Sequence, residues 1–159
     1  MLVDEEGFRL NVGIILAHGN NMVLLGRRLG QDAWQFPQGG VDEGETPEQT
    51  MYRELMEELG LEPTDVELLG CTQSWLTYRL PEQYIRKSAQ VTVIGQKQKW
   101  FLLRLIASEQ KIRLDVSRSP EFDSWRWVDY WRPVEEVIYF KRQVYQDALK
   151  ELEPILLKP

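Results

Sequence analysis

Glu54, Glu57 and Glu58 stand at i, i+3 and i+4 inside a stretch whose local signals spell a helix, and this constrains the fold more than any other feature of the chain. Residues at that spacing are neighbours on one helical surface, so three like charges converge there. The helix signals are Thr46 as N-cap, Pro47 in the first turn, Gln49 at capping-box distance and Gly60 as terminator. Met51, Leu55 and Leu59 form an adjoining apolar stripe that can dock on a core. Glu45, just ahead of the helix, can join the acidic cluster. Crowding of this kind calls for a cation. Hard divalent cations such as Mg²⁺ prefer oxygen ligands, keep several waters and bridge carboxylates to phosphate oxygens, so a phosphate ester is the expected ligand. Arg53 lies at i, i+4 from Glu57 and is expected to orient that carboxylate from outside the metal shell.

At 159 residues the chain has room for one domain, 1–159, with a substantial core. An apolar fraction of 43%, with six Trp, six Tyr and five Phe, suits a globular protein and argues against disorder. No apolar stretch is long enough to span a bilayer, and Met1 to Glu6 lacks the basic and apolar regions of a secretion signal, so a soluble cytoplasmic protein is expected. Cys71 is the only cysteine, which excludes an intrachain disulfide and a multi-cysteine zinc site; it is expected to be a small packed residue. His18, the only histidine, adjoins the turn signal Gly19-Asn20-Asn21 and is expected to be exposed rather than a general base. Carboxylates must then carry most of the acid–base work. The net charge of −6 argues against a nonspecific nucleic-acid coat. The basic clusters Arg27-Arg28, Arg86-Lys87, Lys97 with Lys99, and Lys141-Arg142 could still be gathered round the acidic helix by folding.

Val12 to Leu16 and Met22 to Arg28 are β-rich runs around Gly19-Asn20-Asn21, which predicts a hairpin. Trp34 to Pro37 reads as a short extended piece. Val66 to Thr72, Trp100 to Ile106 and Trp125 to Val128 read as further strands, with a polar connection from Arg79 to Gln98 that could serve as a substrate loop. Val134, Val137, Ile138, Tyr145, Leu149 and Leu152 predict a second amphipathic helix over 134–152, preceded by Pro133 and followed by Pro154. The four tryptophans Trp34, Trp100, Trp125 and Trp127 are expected in the core or on strands rather than as base platforms. The coarse architecture is an α/β sandwich of mixed strands, with the acidic helix on one side and the terminal helix on the other.

Residues 39–61 fit Gly-x5-Glu-x7-Arg-Glu-U-x-Glu-Glu-x-Gly-U, U being a bulky aliphatic residue, at Gly39, Glu45, Arg53, Glu54, Leu55, Glu57, Glu58, Gly60 and Leu61. A solvated acidic helix is the commoner fate of a Glu-rich run, but these positions agree across a loop, a helix and its terminator. The segment resembles the Nudix box without a departure, and the resemblance implies the Nudix α-β-α sandwich with a mixed β-sheet. Flanking stretches, among them Gly7 to Ile14, Trp34 to Gly40, Gly95 to Phe101, Pro120 to Asp123, Trp125 to Val128 and Phe140 to Arg142, are similar to the bacterial RNA pyrophosphohydrolases over nearly the whole chain. Members with a basic C-terminal extension are not matched by residues 1–159, so RNA affinity from such a tail is not expected.

The resemblance implies Mg²⁺-dependent hydrolysis of a 5′-triphosphate RNA end to a 5′ monophosphate, exposing mRNA to decay; Mn²⁺ or another divalent cation can substitute. It implies Glu54, Glu57 and Glu58 as metal ligands, the Gly39 carbonyl as a weaker one, and Glu121 as a distal glutamate approaching from another loop. Glu54, Glu57 and Glu121 remain alternatives for the base that takes the proton of the attacking water. Arg9 and Arg28 resemble the family's basic residues near phosphates and terminal bases, and Arg28 could stack on a base opposite Phe140, with Gln96 and Lys141 adding polar or phosphate contacts. The alternative enzyme is a hydrolase of dinucleoside polyphosphates or nucleotide sugars that never uses RNA. A noncatalytic nucleotide-binding adaptor is disfavoured by the intact glutamate set.

Overall fold

The computed structural model describes residues 2–87 and 91–158. In chain order it contains β1 (Phe8–His18), β2 (Met22–Arg28), β3 (Trp34–Gln35), β4 (Gln38–Gly40), α1 (Pro47–Leu59), β5 (Val66–Cys71), β6 (Leu76–Arg79), β7 (Arg86–Lys87), β8 (Thr92–Val93), β9 (Gly95–Leu105), β10 (Phe122–Val128), α2 (Arg132–Glu136) and α3 (Arg142–Leu156). The main sheet runs β10-β2-β1-β9-β5, with β3 on β2, β4 on β1 and β6 on β9. It is mixed: β1 and β9 are parallel from Phe8↔Gly95 to Ala17↔Arg104, and the other pairings are antiparallel.

The expected hairpin forms between β1 and β2, closing on Ala17↔Val23 and His18↔Met22. Gly19 and Asn21 both adopt φ of 60°, the left-handed backbone that Gly and Asn tolerate best. Period-2 alternation then sorts the strand side chains between two cores. Val12, Ile14 and Leu16 of β1 and Phe101, Leu103 and Leu105 of β9 join Met51, Leu55 and Leu59 of α1. Ile15 and Ala17 of β1 and Trp100 and Leu102 of β9 join Tyr145, Ala148, Leu149 and Leu152 of α3. Each helix thus buries one apolar face on one face of the sheet.

Several expectations are corrected. The 134–152 helix is two helices: α2 ends before Val137, which turns extended at ψ 155°, and a 3₁₀ turn at Tyr139–Lys141 leads into α3. With the break, Val137 is buried in the core at 3% exposure and Lys141, on the 3₁₀ turn, is buried at 7%. Pro154 lies inside α3, not after it. The backbone bond it cannot donate falls at exposed Lys150, whose carbonyl can face water. The Arg79–Gln98 connection holds the small ribbon β7–β8 and the start of β9, while residues 88–90 of it lie outside the described residues. Cys71 is exposed at the end of β5, the edge strand of the main sheet. His18 closes β1 and stacks on Trp127 with ring centroids 5.1 Å apart.

Candidate active site

The acidic helix is built as its local signals dictate. The Thr46 hydroxyl accepts from the Gln49 amide at 3.2 Å, and the Gln49 side chain accepts from the Thr46 amide at 2.9 Å. Gly60 ends the helix at φ 68°. Docking Met51, Leu55 and Leu59 at 0% exposure drags the neighbouring glutamates inward, so Glu54 and Glu58 are 8% and 5% exposed while Glu57 stays in solvent. Buried carboxylates resist ionisation. Burial, then the charge of Glu57, pushes Glu54 up to about 7 against the pull of Arg53. Glu58 is pushed well above the usual carboxylate range, first by burial and then by Glu121 and Glu54. The Gln38 backbone pulls the other way, yet neither Glu58 oxygen has a hydrogen-bond partner of ordinary geometry.

Arg53 is the cation that the local structure does supply. Its Nη1 donates to Glu54 at 2.8 Å and to Glu57 at 3.4 Å, and its Nη2 donates to the Gly40 carbonyl at 2.9 Å. Glu45, expected in the acidic cluster, is instead taken up by Arg53 through Nε at 2.7 Å and Nη2 at 2.9 Å. That pairing holds Glu45 down to about 2. Gly39, in β4, is pressed on Glu54: a Cβ there would lie 1.9 Å from the carboxyl carbon. Only glycine permits that approach without a shift.

Glu54, Glu57, Glu58 and Glu121 line one cavity of about 240 Å³ with Ser117 and Ser119. The two serines were not anticipated; the signal available was their place just ahead of Pro120-Glu121. As the side chains lie, no three acidic, histidine or cysteine side chains among the described residues close round a single point. The donor set nonetheless fits a hard divalent cation, because its members are carboxylates and the buried oxygens of Glu58 are without partners.

Glu121 also borders a second cavity of about 320 Å³. Of the expected substrate contacts, Arg28, Gln96, Phe140 and Lys141 line it. Arg9 does not; it neighbours Gln96 across the parallel β1–β9 pair, its guanidinium against Gly40, where a Cβ would meet Nη2 at 2.2 Å. Phe140 packs with Tyr84 and Tyr78 at centroid distances of 5.3 and 5.9 Å. Lys141 Nζ lies 3.5 Å from Gln35 Oε1 and 5.7 Å from the centre of the Tyr78 ring. Burial, then the charge of Arg28, lowers Lys141 to about 8 despite Glu121. Gln96 is 8% exposed with its Oε1 unpartnered. Trp34, expected to be a core or strand residue, is a half-buried strand residue that also stands in the cavity wall. Nothing in the local pattern of Trp34, Tyr78 or Tyr84 signals this, because the wall is assembled from β3, β6 and the loop after it.

A mixed sheet between two helices, one helix presenting buried glutamates beside a glycine strand, defines a Nudix domain. The NUDIX domain family matches residues 7–150, and the chain belongs to it. It is 64% identical over 158 residues to a protein of Legionella pneumophila called RNA pyrophosphohydrolase, covering 99% of this chain and 90% of that one. A Pseudomonas putida protein of the same name is 59% identical, covering 98% of each chain. Among solved structures, the Escherichia coli dihydroneopterin triphosphate pyrophosphohydrolase superposes with a TM-score of 0.70 at 21% identity, over 91% of this chain and 98% of that one. A Caenorhabditis elegans Ap4A hydrolase superposes with a TM-score of 0.63 at 18% identity, over 93% of this chain and 97% of that one. These two likenesses concern the fold.

Proposed function

We propose that this chain is an RNA 5′ pyrophosphohydrolase: a Nudix enzyme that uses a divalent cation, Mg²⁺ in the first instance, to convert 5′-triphosphate RNA ends to 5′ monophosphates and so expose mRNA to decay. One observation carries the reading. Glu121 borders both the glutamate cavity and the aromatic, cationic cavity, so an end held by its base and phosphates in one places its phosphoanhydride in the other. The name shared by the relatives at 64% and 59% identity supplies the substrate class.

Glu54, Glu57 and Glu58 would hold the cation, with the Gly39 carbonyl as a weaker ligand and with Glu121 from another loop. When bound, the cation offsets charge on the phosphate oxygens and on the departing group. Arg53 holds Glu54 and shares Glu57, which keeps the carboxylates apart and turned toward the cavity they line. Water attacks a phosphorus, the phosphoanhydride P–O bond breaks, and pyrophosphate leaves while the RNA keeps one phosphate. The water's proton passes to a carboxylate. Glu54 is pinned by Arg53 and Glu58 is buried, so the exposed Glu57 and Glu121 are the better placed acceptors. Lys141 and Arg28 supply fixed positive charge for the phosphates, and Gln96 offers a buried polar contact.

Product analysis tests this on end-labelled triphosphorylated RNA offered with diadenosine polyphosphates at matched concentration and Mg²⁺. Release of pyrophosphate or successive phosphates from RNA, leaving a 5′ monophosphate, is the expected result. Cleavage of the small nucleotide alone would establish the dinucleoside polyphosphate hydrolase instead.

A further inference from the structure

One wall of the larger cavity has no part in the chemistry described above. Trp34 stands in that wall at the start of a two-residue strand, half-buried against the core that α3 covers. Arg126 of β10 lays its guanidinium carbon 4.2 Å from the centre of the Trp34 ring and is itself outside the cavity lining. The same guanidinium pairs with Glu136, the last residue of α2, whose other oxygen lies 3.4 Å from Arg132 Nε. Immediately after Glu136 the backbone turns out of the helix and delivers Phe140 and Lys141 to the cavity. One arginine therefore touches both the indole and the segment that carries the aromatic side chain.

We propose that Trp34 is a stacking surface for a nucleobase of the RNA end and that Arg126 is the positioning residue that sets its plane. An indole face stacks on any base, and a planar guanidinium covers an indole in a way that a compact ammonium cannot. The proposal rests on the nucleic-acid reading above. A surface ion pair that merely joins α2 to β10 would affect stability and leave ligand choice alone.

The test is calorimetric titration, with Mg²⁺ present, of a 5′-monophosphorylated dinucleotide and of the same ligand with abasic sugars. Wild type should prefer the ligand with bases. Trp34→Leu should weaken binding of that ligand about tenfold, and Arg126→Ala and Arg126→Lys should each weaken it roughly threefold or more, with the abasic ligand bound equally by all. The double variant W34L/R126A should bind no more weakly than W34L, because Arg126 acts through the indole. Thermal unfolding is measured for each variant; should Trp34→Leu not fold, Trp34→Phe keeps a flat ring and the Arg126 pair decides. Additive losses in the double variant, equal losses on the abasic ligand, unchanged binding in R126K, or no base preference in wild type would each overturn the proposal. Wild-type turnover of triphosphorylated RNA is measured separately, so failure of the functional reading is seen apart from failure of the stacking surface.

Discussion

A methyl group added at Gly39 would be aimed at Glu54. An ideal Cβ there lies 1.9 Å from the carboxyl carbon, 2.2 Å from Oε1 and 2.4 Å from Cγ. Ordinary carbon contacts begin near ~3.5 Å, so the carboxyl must retreat by roughly 1.5 Å. The side chain yields before the strand does, because β4 is tied to β1 through Val12↔Gly39. Backbone strain adds nothing, since Gly39 is not in the left-handed region. The displaced carboxylate loses its 2.8 Å bond from Arg53. Overpacking of this size costs about 1–3 kcal/mol, at roughly 2–4 °C of Tm per kcal/mol for a chain of this length. Moving a proposed metal ligand by more than an ångström costs more in rate, on the order of 10²-fold. Gly39→Ala should therefore fold with a modestly lowered Tm and lose about two orders of magnitude in turnover. Thermal unfolding and initial rates on triphosphorylated RNA across a Mg²⁺ titration read the two effects separately. Gly40→Ala is the comparison, because its Cβ meets Arg9 rather than Glu54. A folded G39A protein whose rate at saturating Mg²⁺ stays within about threefold of wild type would refute the placement of Glu54 in the metal site.

Glu58→Gln replaces a buried carboxyl that resists ionisation and whose oxygens lack hydrogen-bond partners of ordinary geometry, so the metal-free protein should keep its stability to within about 1 kcal/mol in denaturant unfolding, while Mg²⁺-dependent turnover collapses; equal turnover would reject Glu58 as a ligand. Glu45 is held below its ordinary value, from 4.5 to about 2, so the stability it contributes is complete above pH 4.5 and is lost as pH falls toward 2. That shift is worth at most roughly 3 kcal/mol, and about half of it after allowing for solvent screening, so unfolding free energy should fall by about 1–2 kcal/mol across that window and E45Q should remove most of the slope. A slope unchanged by E45Q would mean that other carboxylates carry the acid sensitivity. Gly13→Ala drives a Cβ to 2.4 Å from the Trp100 ring, which sits at 0% exposure, and should destabilise by about 1–3 kcal/mol with kcat nearly unchanged; a rate loss larger than the loss of folded protein would show that the sheet transmits strain to the site.

Local signals carried α1 almost completely. Cap, capping box, apolar stripe and terminator act within a few residues of one another, and they decide where Glu54, Glu57 and Glu58 fall on the helix. The hairpin and the two-sided alternation of β1 and β9 were legible for the same reason, since side-chain period is a property of the strand itself. The site-end halves of β1 and β9 were harder, because Arg9, Gln96 and Gln98 break the apolar pattern there; Gln98 donates to Asn11 at 2.8 Å, while Arg9 Nε and Gln96 Oε1 are buried without a hydrogen bond.

Sequence alone determined the acidic helix, the mixed strands and the box that marks the family, because each depends on spacing along the backbone. Only tertiary structure decided that Glu45 belongs to Arg53, that the last helical stretch breaks at Val137, that Trp34 joins a cavity wall, and that Glu121 borders two cavities at once. Those outcomes depend on which distant side chains compete for the same volume and the same charge, a competition that exists only after the sheet has brought them together.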